Sequence, residues 1–122
     1  MRTLLLCVLA LCSHVMSMTA QVTGRIEYPY RADYEDQLVL PIGDKGLVIQ
    51  SFAKDSKAGK RYFKTEFYST MMTPVSTDSM LIDKGMYYYS NIVDNGVLYT
   101  VLRESDGTFM IVAFNATTHK IT

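Results

Sequence analysis

Tryptophan is absent from this chain, and its 122 residues hold only two cysteines, two histidines and three prolines. Both cysteines, Cys7 and Cys12, lie near the N-terminus together with His14. His119 is the one histidine beyond them, and a zinc site needs several His or Cys ligands. His119 is therefore expected to be a solvent-facing tail residue and not a ligand. The phosphate-cradling patterns G-x-G-x-x-G and G-x-x-x-x-G-K-[ST] are missing, as are the G-x-S-x-G nucleophile elbow and the alternating acidic loop that binds calcium. Twelve basic and twelve acidic side chains give a formal charge of zero, with no basic stripe to receive nucleic acid. No apolar run approaches the ~20 residues of a membrane-spanning helix.

What the N-terminus does hold is the pattern of an export signal. Arg2 supplies a short positive region, Thr3 to Leu11 an apolar core, and Ala20 a small residue before a cut. Met18 fits the third position before that cut poorly, so cleavage after Ser17 is the alternative. Leu11 is too bulky to precede a lipidated Cys12. The expected boundaries are residues 1–20 as signal peptide and Gln21 as the mature start. Removing residues 1–20 from 122 leaves 102, with 11 basic and 12 acidic groups and no cysteine. Such a chain folds by burial alone, without disulfides, in the periplasm or outside the cell.

The richest stretch runs from Met86 to Phe114, where apolar runs are separated by Asp94-Asn95-Gly96 and Asp106-Gly107. Gly and Asn at these places suit the positive φ of tight hairpin turns, and the runs carry the Tyr, Val, Ile and Phe that favour strands. This predicts an antiparallel meander. Upstream, Gln37–Ile42, Leu47–Phe52 and Arg61–Thr70 read as strands around the turn Gly43–Gly46 and the polar loop Asp55–Lys60. In the third, Tyr62, Lys64, Glu66 and Tyr68 share one face and Phe63, Thr65 and Phe67 the other. Met71–Ser79 reads as a looser connection, and Met80–Ile82 as a short strand. Residues 21–36, interrupted by Pro29, read as an arm or edge strand.

The two halves resemble each other. With Gly46 placed on Gly96, GLVIQSF lies over GVLYTVL; farther on, EFYSTMMTPVS (66–76) lies over VAFNATTHKIT (112–122). Residues 37–85 thus form a first repeat and 86–122 a second whose fourth strand is missing or barely begun. Units of this length with four short antiparallel strands are blades of β-propellers. The strands Val97–Leu102 and Phe109–Phe114 are apolar on both faces, which predicts cover on both. The fold class expected is all-β, tandem blade-like meanders, with a small β-sandwich or barrel as the alternative.

On GDKG and DNG before apolar strands, and on Phe67-Tyr68-Ser69 and Ala113-Phe114-Asn115 at strand ends, the chain resembles the propeller-type repeat proteins exported by Bacteroidota. The resemblance covers residues 37–122. It implies a periplasmic or surface location and a binding or scaffolding role, and it supplies no active site. A propeller closes with four to eight blades, so about two imply a fragment of something larger, or completion by further blades or by self-association.

No catalytic, cofactor-binding or metal-binding residue is assigned, and the ligand and protein or glycan partner stay unknown. Glu66 and Glu104 are the carboxylates in or beside strands, with Asp33, Glu35, Asp94 and Asp106 in turns; a carbohydrate-active or glycan-binding fragment would need two of them to converge. Tyr87, Tyr88 and Tyr89 could stack on sugars, but packing between sheets is the reading adopted, with at least one Tyr facing away from the others. Asn115-Ala116-Thr117 and Asp78-Ser79-Met80 match short glycan-attachment patterns.

Overall fold

The computed structural model describes residues 32–122. The export signal, its cleavage point and most of the 21–36 arm lie outside them. Every regular element among the described residues is a β-strand: β1 (Tyr34–Pro41), β2 (Leu47–Ala53), β3 (Lys60–Tyr68), β4 (Pro74–Asp83), β5 (Tyr87–Asp94), β6 (Val97–Arg103), β7 (Phe109–Asn115) and β8 (Lys120–Ile121). Strands β1 to β4 form one antiparallel sheet in chain order, sheet A, and β5 to β8 form a second, sheet B. The tandem meanders expected from the sequence are present, and sheet B ends on a strand of two residues.

The turns explain the hairpins. Asn95 and Gly96 take φ of 47° and 76°, the positive pair that a two-residue connection between Asp94 and Val97 needs. At the next turn the Asp106 carboxylate accepts the Thr108 amide at 2.8 Å, and this bond holds its pKa below the ordinary carboxylate range. Two expectations are corrected. Residues 71–79 are not all connection: Pro74 opens β4, where a missing amide costs little, and the strand runs ten residues on alternating small polar side chains. β1 begins at Tyr34, inside the arm, and bulges between Glu35 and Leu38, with Asp36 at φ 51°.

The sheets pack face to face. One cluster joins Val48 and Phe67 of sheet A to Leu98 and Phe114 of sheet B, with Ile42 and Ala116 beside them; the other joins Phe52, Phe63 and Ile82 to Met86, Leu102 and Val112. The Phe67 and Phe114 rings lie 5.4 Å apart. Between the clusters, Thr100 Oγ1 donates to Gln50 Oε1 at 2.8 Å in a fully buried bond. So β2 lies over β6 and β3 over β7, running the same way. β4 lies against β8, where the Ile121 amide donates to Asp78 Oδ2 at 3.1 Å.

Equal strand order and equal direction mean that sheet B is stacked on sheet A by translation, the way successive blades follow one another. Main-chain pairing agrees. Antiparallel residues alternate between bonding one neighbour and the other. The Ile42–Gly46 bond gives Val48 its partners in β1, while the Gly96–Ala116 bond gives Leu98 its partners in β7. For L-residues pointing into the same core along parallel strands, opposite partners are what translation demands. Residues fifty apart, such as Gln50 and Thr100, therefore face each other and are not equivalent. Matching the pairs that close the first hairpins, Ile42–Gly46 and Asp94–Val97, makes Val48 equivalent to Tyr99 and Phe67 to Ala113. On this matching of the two sheets the third strands pair Phe67 with Ala113, and the second strands pair one residue away from the 46-on-96 placement.

Candidate interaction surface

Translation has a consequence for which faces are covered. The face of sheet A buried against sheet B carries Val48, Gln50, Phe52, Phe63, Thr65 and Phe67. Its equivalent in sheet B is the face turned away from sheet A: Tyr99, Val101, Arg103, Phe109, Ile111 and Ala113. Here Ile111 is 64% exposed and Phe109 54%, and on the neighbouring strand Ile92 is 64% exposed. Tyr87 and Tyr89 are exposed alongside. The result is a contiguous open apolar sheet face, larger than the scattered apolar residues of an ordinary surface. Apolar residues on both faces of β6 and β7 predicted cover on both sides; among the described residues only one side has it.

One corner of this face is organised. The Arg103 guanidinium lies 5.3 Å from the Phe109 ring and 5.6 Å from the Tyr89 ring, and those rings meet edge to face at 5.5 Å. Arg103 Nε is buried without a hydrogen-bond partner among the described residues. Tyr88 points the other way, against the inner cluster, and donates its hydroxyl to Asn91 Oδ1 at 2.9 Å. The three tyrosines thus divide between the faces, and only Tyr88 packs between the sheets.

The carboxylates do not assemble. Glu66 lies on the far face of sheet A, buried beside Lys64 at 3.1 Å, whose ammonium sits 4.7 Å from the Tyr34 ring centre. Glu104 lies at the end of β6, against Gly85, so sheet A stands between the two. Glu35 is tied to Arg61 at 2.6 Å. No group of three or more His, Cys, Asp or Glu among the described residues could hold a metal ion. His119 is not a free tail residue: its ring packs 5.4 Å from Phe67, and its backbone sits at φ 59° with the amide bonded to Asn115 O.

A cavity of about 600 Å³ opens at the other end of sheet A, between Tyr34, Tyr62, Leu81 and the loop carrying Lys57. It has the volume of a ligand site. Of the three cations at its wall, Arg61 is engaged by Glu35 and Lys60 by Asp83, which leaves Lys57 on the loop. The open face of sheet B is the stronger candidate. None of the protein-family models, curated proteins or solved structures compared with the chain matches it.

Proposed function

We propose that the chain is an exported, non-catalytic β-repeat module that binds or scaffolds other protein surface in the periplasm or at the cell surface, as part of a larger propeller-like assembly. The observation that carries this reading is the open face of sheet B, whose counterpart in sheet A is fully covered. The resemblance to propeller-type proteins exported by Bacteroidota, and the signal pattern of residues 1–20, point the same way. Catalysis has no support in the placement of Glu66 and Glu104.

Two measurements test it. Light scattering on residues 21–122 is expected to show concentration-dependent self-association, because an apolar sheet face without cover pairs with other chains. Ile111→Glu is expected to suppress it at least tenfold without loss of the cooperative melt. A monodisperse parent chain at ~100 µM with a sharp two-state melt would overturn the open-module reading. Mass spectrometry of the product exported by a suitable bacterium is expected to find a chain starting near Gln21; an intact Met1 confined to the cytosol would remove the exported part of the proposal.

A further inference from the structure

The corner of sheet B that holds Arg103 has a completed counterpart in sheet A. There Arg61 lies 4.3 Å from the Phe52 ring centre and is buried at the same end of the sheet, on the face turned to sheet B. Its Nη2 donates to the main-chain oxygen of Met86 at 2.6 Å, and its Nη1 is held by Glu35. Met86 is the residue just before β5. Arg61 therefore fastens the leading end of the following sheet to the one before it, while the Phe52 ring, itself 5.2 Å from Phe63, makes the platform on which its guanidinium lies. In sheet B the equivalents of Phe52 and Phe63 are Arg103 and Phe109. An arginine again lies over an aromatic ring at the same end and on the equivalent face. The Nε atoms of both arginines are buried without a hydrogen-bond partner, but where the Nη atoms of Arg61 bond Glu35 and Met86, the side chain of Arg103 makes no hydrogen bond among the described residues.

We infer that the open face of sheet B is the seat of a further antiparallel β-sheet of the same head-to-tail series, and that Arg103 is the anchor that hydrogen-bonds a main-chain carbonyl at the start of that sheet's first strand, as Arg61 does for β5. The occupant presents toward sheet B the kind of face that sheet B presents to sheet A, with aliphatic and aromatic residues like Leu98, Leu102, Val112 and Phe114 around a hydroxyl like Thr100. The interface is thus a continuation of the one already formed. A second copy of this chain is a poorer fit, since stacking by the same translation would bring its sheet A far face, already buried at Ile49, Ser51, Lys64 and Glu66. The inference rests on the open-face part of the proposed function and is independent of export.

The test appends a second copy of residues 84–122 after Thr122, with the position equivalent to Ile111 in the copy changed to Glu so that the new outer face is polar. The longer chain is expected to melt as one cooperative unit, and the main-chain amides of β6 and β7 in the original sheet B to exchange at least tenfold more slowly than in the parent. Arg103→Ala is expected to lower the Tm of the longer chain by several degrees and that of the parent by less than about one degree, whereas Arg61→Ala lowers both. A separate melt for the appended sheet, or an equal effect of Arg103→Ala on the two chains, overturns the inference. So does a discrete dimer of the parent that persists in the longer chain, which would assign the face to a second copy. Loss of export in cells would leave each of these readings unchanged.

Discussion

Gly46→Ala is expected to be the most damaging single-methyl change in the described chain. Gly46 sits at φ +135°, a backbone region that L-residues rarely occupy, where β1 turns into β2. An added Cβ would fall within the Tyr68 main-chain oxygen, so the strain of the dihedral and a backbone clash act together. Each such strained dihedral costs of order 1–3 kcal/mol, and the clash can be relieved only by parting β2 from β3; a loss of about 3 kcal/mol or more follows. Gly43 is the control in the same turn. Its φ is +51° and nothing lies within 4 Å of a Cβ there, so Gly43→Ala should cost only about 1–2 kcal/mol. Urea unfolding of the pair separates strain from clash, and a Gly46→Ala midpoint matching that of Gly43→Ala would show that the turn relaxes.

Phe114→Ala is expected to lower stability by about 3–5 kcal/mol, the usual range for removing a buried aromatic ring from a core. Phe114 is fully buried, touches the Phe67 ring and belongs to both the inner face of sheet B and the interface with sheet A. Five residues earlier on the same strand, Phe109 points to the open face and is 54% exposed. Phe109→Ala should cost under about 1 kcal/mol, because its ring lies half exposed at the surface beside Tyr89 and Arg103. A domain of this size has a margin of roughly 5–15 kcal/mol, so Phe114→Ala leaves the chain near its unfolding threshold at 37 °C while Phe109→Ala leaves it folded. Equal effects at the two positions would mean that the outer face is covered in solution.

Much of this was legible in the residues. Asn95-Gly96 placed a hairpin because the turn needs positive φ at both positions, and the alternation of Phe63, Thr65 and Phe67 against Lys64 and Glu66 gave the faces of β3. Of β4 only Met80–Ile82 was legible as strand, because its first half is an edge strand built on Ser, Thr and Asp, with little apolar alternation to reveal it. Asp36, Met72 and His119 take positive φ although none is glycine, and sequence offers little sign of that. The two meanders were legible, yet how they match was not: Gly46 and Gly96 look alike, and only the pairing of Val48 with β1 and of Leu98 with β7 shows that the second strands match one residue out of step. The double apolarity of β6 and β7 was legible too, and the structure adds which of the two faces is left open.

The open face, the anchor role proposed for Arg103 and the matching of the two sheets all depend on the arrangement by translation. Nuclear Overhauser contacts in the Ile111→Glu variant, which is expected to stay monomeric, test it most directly. The account predicts cross-peaks between the Phe67 and Phe114 rings, between Gln50 and Thr100, and from the Ile121 amide to β4, with none from Phe109 or Tyr99 to any residue of sheet A. Cross-peaks from Phe109 or Tyr99 to Phe52 or Phe63, in place of those from Phe114 and Leu102, would contradict it.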